Sequence, residues 1–342
     1  PQEPAPPYPY DAVDVSFENG EVTLAGTLTV PEGDGPFPAA VLVSGSGPQD
    51  RNEEVFEHKP FLVLADHLTR AGIAVLRYDD RGVGESTGVF GTATSVDFKD
   101  DALAAVRFLR ARERVDPGKV GMIGHSEGGL IAPLAAAESD ELAFIILMAG
   151  PGVPGKDILV RQVGLLSAAA GGSEEYVAKV REEQGKAIDL VLAGAPEADV
   201  RAQVRKLVAA QTGGDPGSAG DAAVEQAVAQ LQSPWFRSFL AFDPRPTLRT
   251  IRIPVLAING EKDLQVDPAQ NLPEIAKALE EAGNPDVTTR EFPGLNHLFQ
   301  KAETGAVGEY YELEETLHPP VLDAIRDWIL ERFGGSAGPA GL

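Results

Sequence analysis

The chain has 342 residues, 43% hydrophobic and 24% charged, which suits one large globular domain with or without an inserted subdomain. Its net charge of -23, from 29 basic and 52 acidic residues, repels phosphate backbones and anionic lipid heads, and no apolar run reaches the roughly 18 residues a membrane span needs. Nucleic-acid and membrane partners are therefore disfavoured, and the absence of cysteine excludes disulfides and thiolate metal sites.

The first ten residues, Pro1-Gln2-Glu3-Pro4-Ala5-Pro6-Pro7-Tyr8-Pro9-Tyr10, form a Pro-rich leader that reads as a semi-rigid spacer outside any core. It resembles what signal-peptide removal leaves behind, so a secreted or periplasmic protein is expected, with a cytoplasmic one as the alternative. Residues 11–30 then alternate apolar and polar around Asn19-Gly20, a hairpin signal, because Asn-Gly tolerates positive φ. Short apolar runs follow at Ala39 to Val43, Ile73 to Leu76, Val120 to Ile123, Phe144 to Met148 and Ile253 to Ile258. Runs of that length, apolar on both faces, suit buried parallel strands.

Helical spacing separates them, at Phe61 to Ala71, Asp97 to Arg112, Gly128 to Ala137, Ile275 to Ala282 and Val321 to Phe333. This alternation predicts an α/β fold with a mostly parallel central sheet covered on both faces. Residues 151–250 break the rhythm. They are rich in Ala, Gln, Glu and Val, with Gly/Pro breaks at 171–172, 194–196 and 213–220, and read as a helical cap inserted between core segments 11–150 and 251–334. Near its end, Trp235, Phe236 and Phe239 concentrate aromatic surface and are candidates to line a substrate pocket. Residues 335–342 form a tail.

Gly-x-Ser-x-Gly occurs at 124–128, around Ser126, and at 84–88, around Ser86. Context separates them. A nucleophile elbow needs a strand, a sharp turn that small residues allow, and then a helix, so that the hydroxyl stands above the sheet. Lys119 to Ile123 and Gly129 to Leu134 supply strand and helix around Ser126, whereas Ser86 lies in a Gly-rich loop.

Serine needs a base. Of five histidines, His297 sits in the turn after the apolar stretch Val287 to Phe292, in the order nucleophile, acid, histidine that an α/β-hydrolase requires. The acid should follow the preceding strand, where Asp263 comes first after the Gly260 turn; Asp267 and Glu261 are alternatives. Oxyanion donors are expected from the Glu127 amide and from the Gly-rich loop after Val43, with Ser46 favoured over Gly47.

With these residues in place, the chain resembles the EstD-type carboxylesterases, a group of bacterial α/β-hydrolases, from about Val13 to Phe333. The resemblance rests on Ser44-Gly45-Ser46-Gly47-Pro48-Gln49-Asp50-Arg51-Asn52, on Tyr78-Asp79-Asp80-Arg81-Gly82-Val83-Gly84-Glu85-Ser86, on Gly124-His125-Ser126-Glu127-Gly128-Gly129 and on Gly294-Leu295-Asn296-His297-Leu298-Phe299. It implies an α/β-hydrolase fold with an inserted helical cap, cleavage of short- to medium-chain carboxylic esters, and a triad of Ser126, Asp263 and His297. No metal or organic cofactor is expected, and the expected partner is a small-molecule ester. A serine aminopeptidase or amidase on the same fold is the alternative, because fold and triad do not determine the leaving group; a non-catalytic hydrolase-like binder is a third reading.

Overall fold

The computed structural model describes residues 2–214 and 217–334, so the expected tail lies outside the described residues. Strands β1 (Tyr10–Asn19) and β2 (Val22–Pro31) form the N-terminal hairpin, with Gly20 at φ 60° in its turn. Strict alternation follows: β3 (Phe37–Val43), α1 (Pro60–Arg70), β4 (Ala74–Tyr78), α2 (Ser95–Arg110), β5 (Val115–His125), α3 (Gly128–Glu138) and β6 (Phe144–Met148). Helices α4 (Gly155–Ala169), α5 (Glu174–Leu192), α6 (Glu197–Thr212), α7 (Asp221–Gln232), α8 (Pro234–Ala241) and α9 (Pro244–Leu248) come next. The chain then returns to β7 (Val255–Gly260), α10 (Pro268–Glu281), β8 (Val287–Phe292) and α11 (Pro319–Phe333).

The strands make one sheet in the order β1-β2-β4-β3-β5-β6-β7-β8. β1 and β2 pair antiparallel, β2 meets β4 antiparallel, and every later pairing is parallel. Alternate residues of each strand point to opposite faces. Val41, Met122 and Ile145 pack with α2, α3 and α10 on one side, while Leu42, Ile123 and Ile146 pack with α1 and α11 on the other. Both faces are thus dry, which is why the inner strands are apolar throughout: all of β6 is buried.

The helices between β6 and β7 have an apolar cluster of their own, including Val191, Val204, Val224 and Leu240. The Gly/Pro breaks fall between helices, with Gly171, Gly194 and Gly213 in the left-handed region. Among the described residues no helix is long and apolar enough to cross a membrane.

Two sequence expectations are corrected. The leader is not a free spacer. Gln2 Oε1 accepts the amides of Thr316 at 3.2 Å and Leu317 at 3.0 Å, Tyr8 stacks on Tyr10 at 5.2 Å, and Tyr10 already belongs to β1. Proline offers no amide donor, so the segment docks through its few other side chains. Helix α10 begins at Pro268 rather than near Ile275, because Asp267 caps it through the Ala269 amide at 3.1 Å and Pro268 suits its first turn.

Candidate active site

Strand β5 ends at His125, α3 begins at Gly128, and Ser126 forms the turn between them at φ 52°. A side chain in that region is strained, and the strain persists only where the surroundings over-determine it. Here they do. A Cβ on Gly124 would lie 1.9 Å from the Gly128 carbonyl oxygen, and one on Gly128 would lie 2.1 Å from that of Val43. Only glycine lets strand, elbow and helix pass this closely. Among the described residues the Ser126 hydroxyl has no hydrogen-bond partner, and the residue lines a cavity. Ser86 differs in kind: its Oγ donates to the Asp79 carbonyl at 2.7 Å and accepts the Ala25 amide at 2.9 Å, so it ties the hairpin to β4.

Loops after β7 and β8 bring Asp263 and His297 together, with His297 Nδ1 and Asp263 Oδ2 2.7 Å apart and both residues buried. The other carboxylate oxygen of Asp263 accepts the amides of Gln265 and Val266, each at 2.8 Å. Buried carboxylates need such partners. The alternative acids are engaged elsewhere. Asp267 caps α10 and pairs with Arg161 at 2.6 Å, and Glu261 accepts the Gly294 amide at 2.7 Å. His58 bridges Thr316 and the Tyr310 carbonyl, His67 pairs with Asp323, and His318 pairs with Glu315.

The loop after β3 reaches the elbow, since a Cβ on Gly45 would stand 3.3 Å from Ser126 Cβ. Among the described residues the amides of Ser46, Gly47 and Glu127 find no acceptor, whereas the Gly45 amide donates to Glu53 at 2.7 Å. The two motifs rich in Asp and Arg buttress this loop. Arg51 holds Asp79 with two side-chain bonds, at 3.0 and 2.7 Å, and Asp80 accepts the Ser44 hydroxyl at 3.1 Å and the Gln49 amide at 3.0 Å.

Burial pushes the Asp80 carboxyl up to about 8, outweighing these two hydrogen bonds, and the nearby Glu127 and Glu53 push it the same way. The folded protein thus keeps a proton that the unfolded chain releases above about pH 4. Stability from this group is complete below that value and is lost as pH rises toward 8. Asn would keep the neutral shape, accepting the Gln49 amide and donating to Ser44. We expect Asp80→Asn to flatten the fall in melting temperature between about pH 5 and about pH 8. Parallel curves for both proteins would show that Asp80 is ionised in the fold.

The cavity at Ser126 has a volume of about 490 Å³. Ser46 and Gly47 line it on the core side, and Trp235, Phe236 and Phe239 line it from α8. The Trp235 and Phe239 rings stack at 5.4 Å. Glu127 is its one ionisable wall residue among those described. Its Oε1 accepts the Ser95 hydroxyl at 2.6 Å and the Trp235 indole N–H at 2.7 Å, which ties the elbow to α8, and burial raises its pKa.

Sequence reasoning assigns no role to two side chains here, to His125 because its side chain leaves the elbow away from Ser126, and to Glu53. His125 is buried against Glu53 and against the backbone of His297, and Glu53 reaches both His125 and the loop after β3. Glu53 directly follows the Ser44 to Asn52 motif, and that adjacency was the available signal.

Comparison with known proteins agrees with this architecture. A family model described as X-Pro dipeptidyl-peptidase (S15 family) matches residues 19–290. The chain is similar to esterase EstD of Thermotoga maritima, 29% identical over 324 residues that span 92% of this chain and 68% of the relative. Among solved structures, an esterase of Pyrococcus furiosus aligns with a TM-score of 0.56 at 17% identity, covering 98% of both chains. The acylaminoacyl peptidase of Pyrococcus horikoshii aligns at 0.54 and 16%, covering 97% of this chain and 43% of the other. At such identities these two structures speak to the fold alone. With the family model covering most of the chain and the sheet, elbow and following loops in the expected order, the chain belongs to the X-Pro dipeptidyl-peptidase (S15) family and is an esterase-like hydrolase of the α/β-hydrolase fold.

Proposed function

We propose that the chain hydrolyses carboxylic esters of short- to medium-chain acids through an acyl-enzyme on Ser126. His297, oriented by Asp263, takes the hydroxyl proton as Oγ attacks the carbonyl carbon. The tetrahedral oxyanion rests on the amides of Glu127 and Ser46, with Gly47 as the neighbouring donor. The alcohol leaves with the proton that His297 returns. Water, deprotonated by His297, then attacks the acyl carbon; the acid departs and Ser126 regains its proton. Helices α4–α8 act as a cap over the site, and Trp235, Phe236 and Phe239 form an apolar wall for the substrate chain.

One observation carries the reading: a histidine after β8, hydrogen-bonded at 2.7 Å to a buried aspartate after β7, in a fold whose β5–α3 turn holds a serine at φ 52°. The open Ser126 hydroxyl is compatible with this, since such bonds often close only around substrate. A cavity of about 490 Å³ is of the size that holds small organic ligands.

The test is to treat the protein with a fluorophosphonate, map the modified peptide by mass spectrometry, and assay p-nitrophenyl esters of rising acyl length beside an aminoacyl p-nitroanilide. Modification of Ser126 and turnover of the shorter esters are expected. Label at Ser86, or no label with no ester turnover, would sink the proposal. A second reading, a serine aminopeptidase, draws support from the description of the family. Turnover of the anilide alone would select it.

A further inference from the structure

The proposed chemistry leaves unused a second buried histidine beside the nucleophile. The His125 side chain sits between the two loops on which that chemistry depends. Its Nε2 lies 3.0 Å from the carbonyl oxygen of His297. A carbonyl only accepts, so this nitrogen carries a proton and donates. Nδ1 lies 2.9 Å from Glu53 Oε1, and the same oxygen accepts the Gly45 amide at 2.7 Å. One carboxylate thus links the oxyanion loop to the elbow strand, and through His125 to the loop that bears His297.

The Glu53 loop has an unusual backbone. Glu53, Phe56 and Glu57 all have positive φ, at 53°, 52° and 65°. Residues of these types rarely adopt such angles, and a loop that holds three of them is over-determined by its surroundings. It is pinned by paired backbone bonds between Val55 and His58 and by the His58 bonds to Thr316 and Tyr310. The result is a carboxylate delivered into the interior, 3% exposed, with Oε2 buried and without a partner among the described residues. Such a charge needs a counter-charge nearby.

We propose that Glu53 and His125 form a positioning pair: a buried carboxylate–imidazolium strut that fixes the oxyanion loop and the His297 loop against each other, so that both address Ser126. The proposal rests on the reading of Ser126 and His297 given above. The charge balance fits it. Burial works against the charge on His125, but Glu53 foremost, with the His297 carbonyl and Asp263, outweighs burial and holds its pKa above the ordinary value. The other groups facing His125 are the His297 ring at 4.9 Å, with Asp263 behind it, and the apolar ring of Phe299. Glu53 is therefore the carboxylate in direct contact that keeps the second ring proton in place. Glutamine cannot replace it, because its carbonyl oxygen supplies no charge and a neutral His125 would turn a lone pair toward it.

The experiment measures kcat, KM and the pH profile of kcat on a p-nitrophenyl ester for the wild type, Glu53→Gln, Glu53→Asp, His125→Gln and the Glu53→Gln/His125→Gln double variant. Glu53→Gln is expected to lower kcat about tenfold or more while KM stays within about threefold, the pattern of a disturbed transition state. The alkaline limb of its kcat profile should move down by about one pH unit or more, because the His125 proton has lost its carboxylate. Glu53→Asp, which keeps the charge on a shorter stem, should recover part of both effects. The double variant should be no worse than the poorer single one, since the two residues act as one unit. A kcat and alkaline limb unchanged in Glu53→Gln, or multiplicative losses in the double variant, would overturn the proposal. Should Glu53→Gln fail to fold, a His125→Gln variant with kcat and alkaline limb unchanged would overturn it equally. Failure of the site reading itself looks different: the wild type would turn over no ester and Ser126 would take no phosphonate label, which would overturn both.

Discussion

Ser126→Ala is expected to lower kcat/KM for a p-nitrophenyl ester by about 10⁴-fold or more, with the melting temperature nearly unchanged. The loss is large because covalent catalysis has no substitute: without Oγ no acyl-enzyme forms, and His297 has no nucleophile to activate. What survives is the cavity and the proposed oxyanion amides, a combination that in serine hydrolases leaves a residual rate only about 10³- to 10⁴-fold above water. Stability should hold because the hydroxyl gives up no hydrogen bond among the described residues, and because alanine tolerates this backbone region elsewhere in the chain, at Ala149 with φ 51°. Steady-state kinetics paired with thermal unfolding separates the two effects. Activity within about tenfold of wild type would remove Ser126 from the chemistry.

Asp263→Asn should cost about 10⁴-fold in kcat, by a different route. The amides of Gln265 and Val266 both donate to Oδ1, so the asparagine must keep its carbonyl oxygen there. Its NH₂ group then faces His297 Nδ1, which must become the acceptor. The proton moves to Nε2, and the nitrogen that should take the Ser126 proton is already protonated. Geometry is preserved while the tautomer is wrong. The distinguishing sign is partial recovery of rate at high pH, where a hydroxyl can ionise without the base. Wild-type kcat in this variant would transfer the role to another acid, for which Asp267 and Glu261 were the alternatives in the sequence. Both have partners elsewhere in the fold, Arg161 and the Gly294 amide.

Several features were legible because they depend on local chemistry. The parallel sheet follows from runs such as Phe144 to Met148, which are apolar at every position and can only be dry on both faces. The elbow follows from Gly124, Gly128 and Gly129 between a strand and a helix, and the close contacts that forbid any Cβ there are the reason for the spacing. Helix breaks at Gly171, Gly194 and Gly213 were visible for the same reason, since each needs the left-handed conformation that glycine permits. Chain order and position after the last strands favoured His297 among five histidines and Asp263 over Asp267 and Glu261, and the two lie 2.7 Å apart.

Other features were decided by tertiary structure, because they join residues far apart in the chain. Ser86 has the same five-residue pattern as Ser126, and only its bonds to Asp79 and Ala25 make it a structural tie. Pro-rich residues at the N-terminus looked detached until Gln2 met the amides of Thr316 and Leu317. The pKa of Asp80 and the strut from Gly45 through Glu53 and His125 to His297 arise from burial and from contacts across loops, and neither leaves a periodic trace. Sequence by itself determined the sheet, the helical insertion and the candidates for the chemistry, since periodicity and steric demand act over a few residues. Which candidates meet, which carboxylates keep their protons and what holds the two site loops in register was decided by tertiary structure alone, because hydrogen bonding and desolvation depend on neighbours that only folding supplies.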